Sequence, residues 1–362
     1  MQEVSECDCR RNFKQKKLQG DRNCSFRVLA IQEIEVGKLP VIRIGHLRIL
    51  DHLLLGLAGD ASNAPMLNIS GKLSLSLSDE QTLQQTDCPI DAVPMGSWNQ
   101  IRQSFCDGDL HGAFLPVPEA IRLFSSGMDI KILLYDGRPG AAVVGSKAAS
   151  VDKIFDLKGK TVLISSYYSV HHLLFYRLMA SAGLKPGLEN DTDADVYIEI
   201  VPPFIVPEML HHDESCDIGG CFIEEPFGSL SIGSGWGRKL CSSSGLWPDH
   251  PSSVLVMHDY VIRDFSSHVM DIIRLLVAAN RLVYRGSDEL YRLSLVHFFS
   301  EKRQVVEQIL SSSLPVRPVA LMPDVQSLEI INRFMVKNMG IMKNIINIAD
   351  LVDTSFALET GA

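Results

Sequence analysis

The chain has 362 residues, with 46% hydrophobic and 21% charged side chains and a net charge of −9. That length suits about two domains of roughly 150 residues each, and the acidic balance argues against a global nucleic-acid or anionic-membrane binder, which would gather Lys and Arg. No apolar run approaches the roughly 18 residues that span a bilayer. The first residues lack the apolar core of a signal peptide, so the expectation is a cytoplasmic protein or one whose leader is absent from this sequence.

Residues 10–27 hold Arg10, Arg11, Lys14, Lys16, Lys17, Arg22 and Arg27 against the one acid Asp21. The stretch is polar and aperiodic, and 1–40 reads as a mobile basic segment. Order is expected to begin near Leu39; Val41–Gly45 forms a buried strand and Asp51 opens an apolar helix as its N-cap. Lys72–Ser78 alternates as a half-buried strand. Helices are predicted at Trp98–Phe105 and Pro118–Phe124, and strands at Gly112–Leu115, Ile130–Leu134 and Ala141–Gly145.

The alternation continues with a strand at Thr161–Ile164, a helix at His171–Ala182 closed by Gly183, and strands at Val196–Val201 and Gly220–Ile223. Beyond Ser266 the chain turns helical, at Val269–Tyr284, Asp288–Phe299, Lys302–Leu310 and Gln326–Met339. Strands and helices alternating at this pace mean an α/β protein with largely parallel sheets.

Several enzyme and metal signatures are absent. The eight cysteines, at 7, 9, 24, 88, 106, 216, 221 and 241, lack the paired spacing of a zinc site or the density of a disulfide scaffold. Gly140-x4-Gly145-Ser146-Lys147 reverses the order a phosphate loop needs, and Asp191–Asp195 begins a calcium loop that Val196 and Pro202 break. His211–Glu214 reads as a charged helix end.

Three loops follow strand ends, where α/β sheets hold ligands. Ser165, Ser166, Tyr167, Tyr168 and Ser169 lead into a helix N-terminus, so the serines either cap that helix or help its free N–H groups hold an anion. After the first strand, Arg48 either clamps an anionic group bidentately or lies on the surface, beside Asp51 and His52. Glu224–Glu225 follow a third strand and would meet a ligand amine or cation, or else pair with Arg238 or Lys239.

Six motifs in order carry a resemblance: Ile42-Arg43-Ile44-Gly45 with Asp51; Gly108 through Pro116; Asp156-Leu157-Lys158-Gly159-Lys160-Thr161-Val162; Glu225-Pro226-Phe227; Leu246 through Pro251; and Asp350 through Phe356. Together they resemble the solute-binding proteins of ABC importers in the nitrate, bicarbonate, sulfonate and taurine group, which share a domain with the thiamine-pyrimidine synthases. The chain departs from that pattern at His52-Leu53-Leu54, where nitrate binders have small residues and proline. It also has only Cys241 where the synthases carry a cysteine-rich run.

The resemblance implies a two-lobed periplasmic-binding fold of type II, with lobe one at 41–138 plus 257–362 and lobe two at 139–256. Crossings are expected near 136–144 and 252–258. It implies capture of a small anionic solute by hinge closure, an ABC permease and ATPase as partners, an extracytoplasmic monomer, and no cofactor, metal or catalytic residue. The candidate ligand-binding set is Arg48, Asp51, His52, Trp98, Pro116, Ser165, Ser166, Tyr167, Tyr168 and Glu225. The rival classes are a pyrimidine-synthase-like enzyme, with His52 and Cys241 as its remnants, and a cytoplasmic ligand sensor.

Overall fold

A computed structural model describes residues 41–61, 90–136, 140–285 and 320–362, together with 292, 294–296, 298–299 and 306–307. The basic segment 1–40, the strand expected at 72–78 and most of the helices expected at 288–299 and 302–310 lie outside the described residues. The described strands are β1 (Ile42–His46), β2 (Ile90–Pro94), β3 (Gly112–Pro116), β4 (Ile130–Tyr135), β5 (Ala141–Ser146) and β6 (Thr161–Ile164), followed by β7 (Pro186–Leu188), β8 (Val196–Ile200), β9 (Ile218–Glu224), β10 (Gly237–Ser242) and β11 (Ser253–His258).

They form two sheets, one per lobe, in the orders β2-β1-β3-β11-β4 and β10-β5-β9-β6-β8-β7. In the first, β1 runs parallel to β2 and β3, and β11 enters antiparallel between β3 and β4. In the second, β6 runs parallel to β8 and β9, while β5 pairs antiparallel with β9 and β10. The segment expected to cross between lobes near 252–258 is therefore a central strand of the first sheet, and the chain returns from the second lobe before Ser253. The run Val254–Met257 is wholly buried, as a strand covered on both faces must be.

Helices cover both faces of the first sheet. Leu53–Ala61 and Ser266–Arg285 pack over Ile42, Ile44, Phe114, Leu133, Leu255 and Met257. On the other face Trp98–Cys106, Val117–Ser125 and Val325–Lys337 meet Ala113, Leu115, Ile132, Val254 and Val256. The late helical run thus returns to lobe one, and Val325–Lys337 also reaches lobe two, where Phe334 meets Tyr176 edge-on at 6.0 Å. Caps fix the helix starts that matter for the site: Ser97 accepts from the Gln100 amide, and Ser169 from the His172 amide. No described helix is long and apolar enough to cross a membrane.

Candidate functional site

The carboxyl ends of β1, β6 and β9 meet where the two lobes touch. The Leu50 amide donates to the Glu225 carbonyl at 2.8 Å, and the Glu225 amide to the Gly140 carbonyl at 2.9 Å. Trp98, at the start of its helix in lobe one, donates its indole N–H to Ser165 Oγ at 3.2 Å and Glu224 Oε1 at 3.3 Å in lobe two. A further bridge sets the Arg122 guanidinium 4.9 Å over the Tyr168 ring. The cleft is closed in this structure.

Its lobe-one wall is a chain of neutral hydrogen bonds. The Leu47 amide can only donate, so His52 Nδ1 accepts from it at 2.9 Å and Nε2 carries the proton. That proton points to Ser253 Oγ at 3.3 Å, and the Ser253 hydroxyl donates to Asp136. Burial drives both ends of the chain to uncharged forms: it holds the His52 imidazolium well below its usual range and pushes the Asp136 carboxyl up to about 8. His52 is 0% exposed, stacked on Phe114 and set edge-on to Trp98 at 5.3 Å.

This chain has a consequence for pH. The folded protein keeps a proton on Asp136 that the unfolded chain has released, so the unfolded state binds fewer protons and stability falls as pH rises toward 8. His52, His172 and His250 are depressed in the fold and add the opposite slope only below about 6.5, where the unfolded histidines charge. Between pH 6.5 and 8 the acid dominates, by about 2 kcal/mol for this one group. Asp136→Asn keeps an acceptor for Ser253 and is expected to flatten that slope in urea melts at the two pH values. An unchanged slope would mean that Asp136 is ionised in the fold.

The lobe-two wall is built by Ser165, His171, Glu224 and His250. Ser165 Oγ donates to Glu224 Oε1 at 2.5 Å, and His171 Nδ1 stands 3.4 Å from the same oxygen, within ion-pair range but outside hydrogen-bond geometry. These bonds outweigh the burial of Glu224 and hold its carboxyl below the usual range. His250 Nδ1 donates to the Trp247 carbonyl at 2.9 Å, and burial lowers its imidazolium to about 3.

Asp51 lies between the walls, 1% exposed, and neither carboxyl oxygen has a hydrogen-bond partner in acceptable geometry. Burial, with the nearby charges of Asp136 and Glu224, raises it well above the usual carboxylate range; the Ser252 side chain and Gly140 backbone only soften the rise.

The sequence-predicted residues divide accordingly. Asp51, His52, Trp98 and Ser165 are brought together. Asp51 is not a helix cap, because it sits inside a 3-10 turn, Leu50–His52, ahead of the helix proper, and caps nothing. His52 is not free to reach a ligand, since both ring nitrogens are engaged in the first-lobe wall. The helix start after Ser165 is capped by Ser169, while Ser165 spends its proton on Glu224 and Ser166 is buried with its carbonyl bonded to Ser169. Tyr167 packs on Tyr168 and His172, and Pro116 is buried at the end of β3.

Glu225 pairs with neither Arg238 nor Lys239. It accepts from the Ser229 amide at 2.8 Å at the start of the next helix, and Arg238 bonds Asp152 instead. The cleft carboxylate is its neighbour Glu224.

Arg48 is exposed, has no ion-pair partner among the described residues, and lines a cavity of about 440 Å³ at the cleft mouth. Lobe one supplies Ile49 and Met95 to that cavity, and lobe two Phe204, Pro226 and Phe227.

The model of the NMT1-like family matches residues 75–292. Curated relatives include the nitrate import ATP-binding protein NrtC of Synechocystis sp., 24% identical over 202 residues. That alignment takes 52% of this chain and 30% of the relative, so the chain spans about 30% of the length of the curated proteins it matches.

Solved structures share the fold. A zinc-bound ligand-binding component of an ABC-type import system from Staphylococcus aureus aligns at TM-score 0.69 and 18% identity, over 88% of this chain and 98% of its own. The periplasmic nitrate-binding protein NrtA of Synechocystis aligns at 0.70 and 13%, over 90% and 89%. The alkanesulfonate-binding protein SsuA of Xanthomonas axonopodis pv. citri, bound to MOPS, aligns at 0.66 and 16%, over 88% and 100%.

Proposed function

The chain belongs to the NMT1-like family, and from that premise we propose that it captures a small solute between its two lobes and presents the closed form to an ABC permease and its ATPase. The observation that carries the reading is the meeting of the β1, β6 and β9 ends around buried polar groups that bind one lobe to the other. A solute that touches both walls adds contacts the open form lacks, so it shifts the population toward the closed form. The chain acts as an extracytoplasmic monomer and makes or breaks no bond. Of the described residues, those within 41–136 and 253–362 form one lobe and 140–252 the other.

The cavity at the mouth supplies the place for an anionic group. Arg48 faces it among apolar residues of both lobes, where a partly desolvated guanidinium binds an oxyanion more strongly than in open water. With ethanesulfonate as probe, Arg48→Ala is expected to weaken binding tenfold or more, about 1.4 kcal/mol, with the melting temperature of the free protein unchanged. Equal affinity by calorimetry would remove Arg48 from the site.

The reading as a whole is tested by small-angle X-ray scattering of the full chain, unfolded and refolded to strip any retained solute. A smaller radius of gyration on adding nitrate, bicarbonate, ethanesulfonate or the extract of its own solute is expected. A radius unmoved by all of them overturns it.

A further inference from the structure

We propose that the deep end of the cleft receives a cationic or N–H-rich group of the solute, such as a protonated amine or an amidinium, held by Asp51, Glu224 and His250. The inference rests on the solute-binding reading and names the chemistry of its inner subsite, which is distinct from the cavity beneath Arg48.

Buried polar groups are satisfied in nearly all folded proteins, and each exception calls for a partner. Six of the eight unmatched buried side-chain atoms gather on facing walls: both oxygens of Asp51, Oε2 of Glu224, Nε2 of His250 and both nitrogens of His171 have no hydrogen-bond partner among the described residues. All four side chains are at least nine-tenths buried.

Their chemistry can be assigned. Glu224 Oε2 accepts; burial favours a proton on Asp51 while no cation faces it, and beside a cation both of its oxygens accept. His250 is uncharged and uses its one N–H on the Trp247 carbonyl, so its free Nε2 is a lone pair. Beside a cation, which ionises Asp51, only His171 has a donor to spare. The unmatched valence is thus almost wholly acceptor, and among the described residues no Lys or Arg pairs with Asp51, Asp136 or Glu224.

An oxyanion placed here would add acceptors to acceptors and bring its charge beside Glu224, whose carboxyl the Ser165 hydrogen bond and the His171 ring 3.4 Å away hold below the usual range. The obvious donors are already committed: Ser165 to Glu224, Ser253 to Asp136, and the Trp98 indole to Ser165 and Glu224. A group with two or three N–H donors satisfies the orphaned atoms instead, and a positive charge reverses the penalty that burial imposes on Asp51. Its recognition would be charge-assisted on both walls, so it closes the lobes as well as filling the site.

Titration of tryptophan fluorescence in the full chain tests this, because Trp98 touches the subsite. The probes are acetamidinium, ethylammonium and ethanesulfonate, with guanidinium avoided as a denaturant. The cations are expected to give saturable responses, and Asp51→Asn to weaken them tenfold or more. Glu224→Gln provides the same comparison from the other wall, should Asp51→Asn fold poorly.

Saturation by ethanesulfonate with none by either cation overturns the proposal and leaves the solute-binding reading standing. Cation affinity unchanged in both variants also overturns it. Silence toward all three probes, with scattering unmoved by any solute, overturns both.

Discussion

Replacing Trp98 by alanine is expected to lower unfolding free energy by about 3–5 kcal/mol, the range for a buried large aromatic cut back to a methyl. The ring is 6% exposed and packs in the first-lobe core with Ile101 and Phe105. Its other edge faces His52, and its N–H crosses to Ser165 and Glu224. Truncation therefore leaves a cavity in one lobe and removes a donor from a buried carboxylate in the other. Trp98→Phe separates the two effects: most of the volume stays and the donor goes, at an expected cost of about 1 kcal/mol.

Denaturant unfolding followed by circular dichroism measures both variants, and scattering measures the lobes. Because the lost hydrogen bond joins the lobes, the phenylalanine variant should sample the open form more without much loss of lobe stability. An alanine variant within 1 kcal/mol of the parent would show that the first-lobe core closes over the gap. A phenylalanine variant as unstable as alanine would place the whole effect on the N–H.

How far the sequence led can be judged from single residues. A strand such as Thr161–Ile164 was legible because a short β-branched run that is buried almost throughout reads as little else. The return strand Ser253–His258 was read as a crossing, since its partners β3 and β4 lie more than a hundred residues earlier and pairing at that distance leaves no local mark.

The same limit governs the site. The expectation that strand ends carry the ligand found Asp51, His52, Trp98 and Ser165, yet chose Glu225 over Glu224. Neighbouring residues at a strand end point to opposite sides, so a boundary uncertain by one residue exchanges which carboxylate faces the cleft. Asp136, His171, His250 and Ser253 were within motifs or beside strands already singled out. Their role comes from being brought face to face, which no spacing along one segment encodes. Composition hid the most informative property of the cleft: a chain can be acidic overall for reasons of solubility, and only burial shows that some carboxylates lack partners.

Gly220→Ala is expected to be the most damaging single-methyl change in the second lobe, costing about 3 kcal/mol or more. Gly220 lies in β9 opposite Gly145 of β5, with φ at +154°, and a Cβ there would sink into the carbonyl oxygen of Val144 and lie 3.0 Å from its carbon. The obstacle is backbone, which cannot rotate aside as a side chain would. Gly145 is as tightly placed, its own Cβ position running into the Val151 carbonyl, so β5 cannot retreat to make room. On the other edge of β9 the register with β6 already slips between Thr161 and Val162, leaving Gly219 out of the ladder. The strand is pinned from both sides four residues before Glu224, and any shift that accommodates alanine moves the carboxylate that Trp98, Ser165 and His171 converge on.

Gly108→Ala is the matched control. Its φ of +82° also disfavours alanine, but a Cβ there meets nothing within 4 Å, so only the left-handed backbone cost of about 1–2 kcal/mol applies. Urea midpoints of the two variants, with probe affinity as the second reading, compare collision with strain. If Gly220→Ala proves no worse than Gly108→Ala and binds its probe normally, the β5–β9 pairing is slack, and the position of Glu224 is set from the other lobe by Trp98 rather than by the strand that carries it.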